Sequence, residues 1–376
     1  MTRAEKRRTH RANQKAAKKG QPIPESLPEQ RIELINPQRE SFAPFILANA
    51  EFADRVVQGG TGHGKTVVIC GAGPTLRDTA PEWCHLGDEV WGCNSAAIWL
   101  YQNGHKVTHA LTVDQQPQMI EEWYDAPPLH YLLASTVHPH LCEYLRSQHR
   151  EMTFFHNFVG VQGPVVSICQ CGHFSDEHGA AGCIHCGCKG PDNPELLTFE
   201  NFLYGNFYQQ TAVTGAGLNS VTRAIDLAGF VGFDRIVVLG ADCALRITKP
   251  KPDAPWGSPA YMKWLEEGTE MHADGGSALA SEATAVTLVG TIDGRDWETK
   301  PDLIISAIWL VKMAQAIKQL ELIGDTLPNA LMDKDDDFLF QRLPNLTGPG
   351  GEVRPVVVDQ SSYRFKEMVD KSPNQI

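Results

Sequence analysis

Short, unbroken apolar runs alternate along most of the chain with longer stretches in which apolar residues recur at helical spacing. A strand that is covered on both faces is apolar at every position, so the short runs predict buried strands. These runs occupy residues 67–70, 90–94, 109–113, 131–135, 235–240 and 320–324. The helical periodicity covers residues 45–57, 95–103, 216–230 and 301–322. Strands that alternate with helices predict an α/β fold with a doubly wound, mostly parallel, Rossmann-like sheet.

This alternation is interrupted once and has polar segments at both ends. The expected organisation is a basic tail and Pro-rich lead-in (1–42), a first part of the Rossmann-like domain (43–166), a Cys- and His-rich insertion (167–194), a second part of the domain (195–346) and a C-terminal tail (347–376). The interruption is therefore interpreted as an insertion into one α/β domain.

A phosphate-loop pattern at residues 59–66 (GGTGHGKT) is interpreted as a coincidence of letters. A true phosphate loop follows a buried strand, and a helix begins directly after its Lys-Thr pair. In this chain a predicted helix precedes the match and a predicted strand follows it. Lys65 is therefore expected to lie in a glycine linker that enters the first strand.

The net charge of −12 argues against a nucleic-acid surface over the whole chain, although residues 1–20 are strongly basic. Such a basic block is typical of a tail that binds an acidic partner or nucleic acid. No apolar stretch reaches the length of a membrane span, and no secretory signal is visible. The expectation is a cytoplasmic protein with no membrane span.

Polar residues and glycines follow several of the predicted strands. Ligands of doubly wound sheets bind beyond the carboxyl ends of the strands, and backbone N–H groups at glycine turns and helix starts favour phosphate. The residues expected to line a nucleotide on this basis are Gly71, Gly73, Pro74, Thr75, Asn94, Asp114, Thr214, Gly215 and Asp242. The full dinucleotide fingerprint is absent, because Arg77 stands at its third glycine, which disfavours a nicotinamide dehydrogenase.

The segments VVICGAGPTL, VWGCN and TGAGLNSVTRAIDLAGFVGFDRIVVLGAD resemble the MptE-like Rossmann family. That family includes 6-hydroxymethyl-dihydropterin diphosphokinases and motility accessory factors, and the same segments are similar to bacterial sialyltransferases that use a CMP-sugar. Thr75 stands where the sialyltransferases have Ser, which keeps the hydroxyl, and Gly215 stands where they have Ser, which loses one. The resemblance implies a nucleotide lined by the glycine loop, with Asn329 after the late strand helping to hold it.

His272 and Asp274 lie in a polar loop and are the candidate catalytic residues. The sialyltransferases carry a base histidine in a similar loop, and a neutral imidazole is able to take a proton from an attacking hydroxyl. A diphosphokinase instead uses an acid with Mg²⁺, and Asp274, Asp242 and Asp114 are the candidates for that role.

The insertion places eight thiol and imidazole groups within twenty residues of sequence, which predicts a structural zinc site. The expected ligands are Cys169, Cys171, His178, Cys183, Cys186 and Cys188. Both one bound zinc ion and two bound zinc ions are compatible with this number of ligands. An insertion with no apolar core of its own is expected to fold only on binding metal.

The leading hypothesis is a transferase that moves a sugar from a nucleotide-activated donor to an unknown hydroxyl acceptor. The alternatives are a diphosphokinase of the hydroxymethylpterin type and a non-catalytic protein that binds nucleotides or nucleic acid. In the last case the basic tail and the zinc insertion would hold the nucleic acid.

Overall fold

A computed structural model describes most of the chain. The described residues are 29–32, 42–117, 119–123, 127–157, 165–168, 178–179, 182–183, 195–198, 203–205, 207–208, 213–214, 219–254, 258–275, 287–292, 294–332, 338–343, 354–359 and 364–368.

The strands and helices alternate through the middle of the chain as the sequence predicts. The strands are β1 (Glu29–Ile32), β2 (Thr66–Cys70), β3 (Glu89–Cys93), β4 (His109–Thr112), β5 (His130–Ala134), β6 (Glu151–Asn157), β7 (Val165–Ile168), β8 (His178–Gly179), β9 (Gly182–Cys183), β10 (Glu195–Thr198), β11 (Val213–Thr214), β12 (Arg235–Leu239), β13 (Arg246–Ile247), β14 (Thr269–Glu270), β15 (Thr287–Ile292), β16 (Arg295–Thr299), β17 (Leu320–Leu322), β18 (Phe338–Leu343), β19 (Arg354–Asp359) and β20 (Arg364–Met368). The helices are α1 (Ala43–Asn49), α2 (Leu76–Trp83), α3 (Ser95–Gln102), α4 (Met119–Glu122), α5 (Pro139–Ser147), α6 (Ser220–Val231), α7 (Pro259–Gly268), α8 (Pro301–Ala316) and α9 (Leu327–Leu331).

The chain divides into two compact units, each made from more than one segment. The first unit comprises residues 1–35, 71–81 and 238–376, and the second comprises residues 36–70 and 82–237. The domain boundaries expected from the sequence differ from this division and stay a prediction.

The second unit is built on a sheet with the strand order β11-β6-β5-β4-β3-β2-β12. The pairings from β11 to β2 are all parallel. Residues 67–70 of β2 are completely buried, which agrees with an apolar run covered on both faces. Helix α6 packs against β2, β3 and β4, helix α3 packs against β3 and β4, and helix α5 packs against β6. The sheet and its flanking helices are therefore α/β and Rossmann-like.

Helix α6 has a recognisable signal at each end. The side chain of Asn219 accepts a hydrogen bond of 2.9 Å from the backbone N–H of Thr222, so Asn219 is its N-cap. Gly232 ends the helix in the left-handed conformation that glycine adopts at no steric cost. These two caps fix where the helix begins and ends.

The first unit contains an antiparallel sheet with the order β1-β20-β19-β18-β15-β16. The last residues of β12 also belong to this unit, and the N–H of Ile323 next to β17 donates to the carbonyl of Val238. Helix α8 contacts β17 and α9. This sheet was not predicted, and three of its strands, β1, β19 and β20, come from segments interpreted as lead-in or tail.

Three predicted helix boundaries are wrong. The helix predicted over 45–57 ends at Asn49 and is followed only by a short 3-10 helix, Ala50–Phe52. The N–H of Val57 instead bonds to the carbonyl of Phe154. Helix α6 begins at Ser220 rather than 216, and α8 ends at Ala316 rather than 322.

The interpretation of the phosphate-loop letters is confirmed. Residues 59–64 form turns, and strand β2 begins at Thr66, directly after Lys65. The Lys65 ammonium lies 3.8 Å from the carboxylate of Glu89.

No helix in the described part of the chain is long and apolar enough to cross a bilayer. The cytoplasmic location stays an expectation.

Candidate functional site

The glycine loop that follows β2, residues 71–75, forms backbone hydrogen bonds with the residues at the end of β12. The N–H of Gly71 donates to the carbonyl of Leu239 at 2.8 Å, and the N–H of Gly73 donates to the carbonyl of Gly240 at 2.9 Å. A Cβ on Gly73 would lie 2.0 Å from the carboxylate of Asp242, and a Cβ on Gly240 would lie 2.3 Å from the carbonyl of Gly71. Both positions therefore require glycine because two loops approach each other closely.

Thr75 and Asp242 form the buried centre of this arrangement. The Thr75 hydroxyl donates to Asp242 Oδ2 at 2.8 Å, and the Thr75 N–H lies 3.3 Å from both carboxylate oxygens. Burial raises the pKa of Asp242 to about 6, and the hydrogen bonds from Thr75 limit the rise. A buried carboxyl with a raised pKa destabilises the fold at neutral pH, which is a common property of functional carboxyls.

The backbone of the glycine loop is already hydrogen-bonded within the protein. The backbone N–H groups of Gly71, Gly73 and Thr75 already have acceptors within the protein. The loop is therefore a rigid wall that its own contacts hold in place, and its glycines do not by themselves require a phosphate. The nucleotide roles of Gly71, Gly73, Pro74 and Thr75 stay predictions.

The candidate catalytic loop is joined to the same wall. The N–H of Ala273, between His272 and Asp274, donates to the carbonyl of Ala72 at 2.8 Å. Burial lowers the pKa of His272, Asp274 opposes that shift, and the charge of Lys300 adds to it. His272 is therefore a neutral imidazole near pH 7, which is the form that a general base needs.

Ion pairs also tie helix α2 to the strands that precede the catalytic loop. The guanidinium of Arg77, which stands at the missing third glycine, pairs with the carboxylate of Glu270, two residues before His272. Arg246 of β13 pairs with Asp78 at 2.8 Å. Glu270 and Arg246 were not predicted, because each pair joins residues more than 160 positions apart in the sequence.

Lys300 is a further residue that the sequence analysis missed. It is 3% exposed, and its ammonium lies 3.6 Å from the sulfur of Met271. Because Met271 precedes His272, this buried cation influences the candidate base.

Asn329 has a structural role at the edge of this cluster. Its side-chain amide donates to the carbonyls of Leu322 and Gly324 at 3.2 and 2.7 Å. A Cβ on Gly324 would lie 3.4 Å from the Thr75 hydroxyl. Asn329 therefore fixes the turn that faces Thr75, and contact with a nucleotide stays a prediction.

In the second unit, Asn94 ends β3 in a strained backbone conformation. Its φ of 48° is left-handed, and its Nδ2 donates to the Ser220 hydroxyl at 3.2 Å. Its Oδ1 is buried and has no partner among the described residues. Strain of this kind costs about 1–3 kcal/mol and is concentrated at functional sites. Asn94 therefore presents an acceptor oxygen beside the first residue of α6.

The other predicted residues of the second unit have local partners. Asp114 accepts a hydrogen bond of 3.0 Å from the N–H of Gln116, which closes a turn. The Thr214 hydroxyl donates to Asn157 Oδ1 at 2.9 Å and is buried. Gly215 lies outside the described residues.

Most of the predicted zinc ligands also lie outside the described residues. Cys169, Cys171, Cys186 and Cys188 are among them, whereas the backbones of His178 and Cys183 are described. His178 and Cys183 are directly opposite each other in the antiparallel pair of β8 and β9. The described residues contain no group of three or more His, Cys, Asp or Glu side chains arranged to hold a metal ion. Zinc binding stays a prediction.

Comparison with solved structures gives a distant likeness. No family model and no curated protein matches the chain. The chain is similar to the solved structure of the MAf glycosyltransferase from Magnetospirillum magneticum AMB-1, with 10% sequence identity and a TM-score of 0.42. The match covers 77% of this chain and 40% of that one, so this chain spans less than half of the length of its neighbour. A likeness this distant leaves the activity to be inferred from the residues of this chain.

Proposed function

We propose that the chain is a nucleotide-dependent transferase that moves a sugar from a nucleotide-activated donor to a hydroxyl acceptor. The observation that carries this proposal is the hydrogen bond between Ala273 and Ala72. It joins the loop of a neutral histidine to a glycine loop at the carboxyl end of a buried parallel strand, which is where ligands of such sheets bind.

His272 is the proposed general base. It takes the proton of the acceptor hydroxyl as the acceptor oxygen forms a bond to the anomeric carbon, while the bond from that carbon to the donor phosphate oxygen breaks. Asp274 raises the pKa of His272, so it stabilises the imidazolium that this step creates.

Asp242 and Thr75 are proposed to hold the glycine loop in the shape that receives the donor. Their buried contact persists although burial opposes the charge of Asp242, which supports a functional rather than a purely structural reason for the carboxyl. Within the second unit taken by itself, Asn94 Oδ1 is proposed as an acceptor for a hydroxyl such as that of a ribose.

The test is nucleotide release from a panel of nucleotide sugars, with and without an added sugar acceptor. His272→Ala is expected to lower kcat by about 10²-fold or more, whereas affinity for the free nucleotide stays the same. His85→Ala, at an exposed histidine, is the matched control and is expected to leave kcat unchanged. Unchanged turnover in His272→Ala would remove His272 as the base.

The pH profile gives a second readout. Because the pKa of His272 is lowered, the acid limb of kcat/KM is expected below pH 6.5, the ordinary value for histidine. An acid limb above that value would contradict the assignment.

The diphosphokinase remains the alternative function, and it predicts Mg²⁺-dependent release of AMP from ATP. Stabilisation by a pyrimidine nucleotide without Mg²⁺ supports sugar transfer, and stabilisation only by Mg-ATP supports the alternative. Deletion of residues 1–20, and separately of residues 167–194, tests the hypothesis that the protein is a non-catalytic nucleic-acid-binding protein. Turnover that survives both deletions assigns those segments a role outside the chemistry.

A further inference from the structure

The carboxyl ends of β5 and β6 carry buried polar side chains that the proposed transfer does not use. Ser135 and Thr136 directly follow β5, and His156 and Asn157 end β6. Ser135, Thr136 and His156 are at most 1% exposed. Ser135 Oγ and His156 Nδ1 share a hydrogen bond of 2.7 Å. Polar groups are rarely gathered in this way unless hydrogen bonds satisfy them.

Asn49 at the end of α1 reaches the same place. Its Nδ2 donates to the carbonyls of Ser135 and Val137 at 3.0 and 2.8 Å, so its amide spans the backbone on both sides of Thr136. Asn49 is completely buried, and its Oδ1 has no hydrogen-bond partner among the described residues. The Thr136 hydroxyl is also buried, and no residue that the structure describes forms a hydrogen bond with it.

Tyr204 adds a third polar atom of this kind. Its ring stacks on the His156 ring, with centroids 4.3 Å apart and planes 16° from parallel. Its hydroxyl is buried and has no partner in the part of the chain that the structure describes. Burial raises the pKa of the phenol, which keeps it neutral.

Asn49, Thr136 and Tyr204 therefore each carry a buried polar atom that lacks a partner among the described residues. Contacts through Ser135 and His156 connect the three residues. Leaving a buried donor or acceptor unsatisfied costs about 1–3 kcal/mol for each group. Ligand sites of doubly wound sheets lie beyond the carboxyl ends of the strands, which is where Thr136 and His156 lie. A ligand that pairs with these atoms accounts for both observations.

We propose that Asn49, Thr136 and Tyr204 form a binding site for a small uncharged molecule that carries hydroxyl groups. The three side chains bring no formal charge, so an ion has no counter-charge from them. Asn49 Oδ1 only accepts hydrogen bonds, whereas the hydroxyls of Thr136 and Tyr204 both donate and accept. The ligand must therefore supply at least one donor, and ligand hydroxyl groups act as both donors and acceptors. The inference goes beyond the proposed transfer and does not depend on it, although a sugar or polyol also has the chemistry of a hydroxyl acceptor.

The test is the thermal midpoint of the full chain with D-glucose, D-galactose, N-acetylglucosamine or myo-inositol in excess and no nucleotide. At least one probe is expected to raise the Tm of the wild type, because a ligand that binds only the folded state stabilises it. Thr136→Val keeps the shape and removes only the hydroxyl. It is expected to be at least as stable as wild type without ligand, and to weaken probe affinity roughly fivefold to tenfold.

The matched control is Thr112→Val, at a threonine that is equally buried but whose hydroxyl accepts from the N–H of Asp114. It is expected to lower the Tm without ligand and to keep the full shift with probe. Absence of a shift with every probe, or an equal shift in Thr136→Val, overturns the proposal. A crystal structure with only ordered water on the three atoms at saturating probe also overturns it. Because the assay contains no nucleotide, failure of the proposed transfer leaves these outcomes unchanged.

Discussion

Replacement of Asp242 by Asn removes a buried charge and keeps the size of the side chain. The folded-state pKa of Asp242 is raised from 3.8 to about 6, because burial disfavours the charged form. The folded protein therefore binds protons more readily than the unfolded chain in this pH window. Stability that depends on this group is largest at low pH and is lost as pH rises from 3.8 through about 6.

The size of this effect follows from the two pKa values. Between about pH 5 and about pH 7.5, linkage gives a loss of roughly 1.4 kcal/mol in the free energy of unfolding from Asp242 alone. Asp242 is 7% exposed, so solvent screening reduces this figure little. Asp242→Asn should not show the loss. The variant is therefore expected to gain about 1.4 kcal/mol on wild type between these two pH values.

Urea unfolding at the two pH values, followed by circular dichroism and tryptophan fluorescence, measures the difference directly. Asp253→Asn, at an exposed aspartate in the loop after β13, is the matched control and should follow wild type at both values. A variant-minus-wild-type difference that is flat with pH, or that changes in the opposite direction, would refute the reasoning about Asp242. The same preparation of Asp242→Asn tests nucleotide affinity.

Three further substitutions test separate parts of the structure. Gly73→Ala should lower the free energy of unfolding by more than about 2 kcal/mol, because its Cβ would overlap the Asp242 carboxylate. Gly229→Ala, in open space on α6, should instead raise the free energy of unfolding by about 0.5–1 kcal/mol. Equal effects of the two substitutions in urea unfolding would contradict the close approach of Gly73 to Asp242. Asn94→Gly should raise the free energy of unfolding by about 1 kcal/mol, because glycine relieves the strain of the left-handed backbone, and it should also weaken nucleotide binding. Calorimetry that finds nucleotide binding unchanged would exclude Asn94 from the nucleotide site. Burial and His130 lower the pKa of His109 to about 3, so below pH 6.5 unfolding is favoured because it lets this side chain take up a proton. Wild type should therefore lose roughly 2 kcal/mol of its free energy of unfolding through His109 between about pH 7.5 and about pH 5, and His109→Gln should not show this loss. An equal dependence of stability on pH in the two proteins would contradict the assignment.

Strands β2 to β5 and β12 were predictable because each contains an apolar run that is buried in the fold. Every predicted run lies within two residues of an observed strand, from β2 to β17. The helix over 45–57 was wrong because a tertiary contact ends it: Asn49 bonds to the carbonyls of Ser135 and Val137, more than 80 residues away. No local pattern carries that information.

The antiparallel sheet was missed for a related reason. Strand β1 lies in a Pro- and Glu-rich segment and pairs with β20, more than 300 residues later in the chain. Both segments contain charged residues and lack a clear alternation of apolar and polar positions, so their composition is typical of tails. Pairing between distant segments, rather than local periodicity, defines these strands.

The candidate site divides in the same way. The glycine loop, Asp242 and His272 were identified from strand ends and from a resemblance, and in the first unit they do come together. The ion pair of Arg77 with Glu270 and the cluster of Asn49, Thr136 and Tyr204 were not identified. Each depends on side chains that meet only in the folded chain.

The central claim is that a nucleotide binds beyond the carboxyl ends of the parallel strands, where Asn94 offers an acceptor oxygen. Isothermal titration calorimetry of CMP, UDP and ADP against wild type and Asn94→Ala, with and without Mg²⁺, tests it most directly. At least one pyrimidine nucleotide is expected to bind wild type without Mg²⁺, and roughly tenfold more weakly to a folded Asn94→Ala. Absence of binding by all three nucleotides, or equal affinity in the two proteins, would contradict the account.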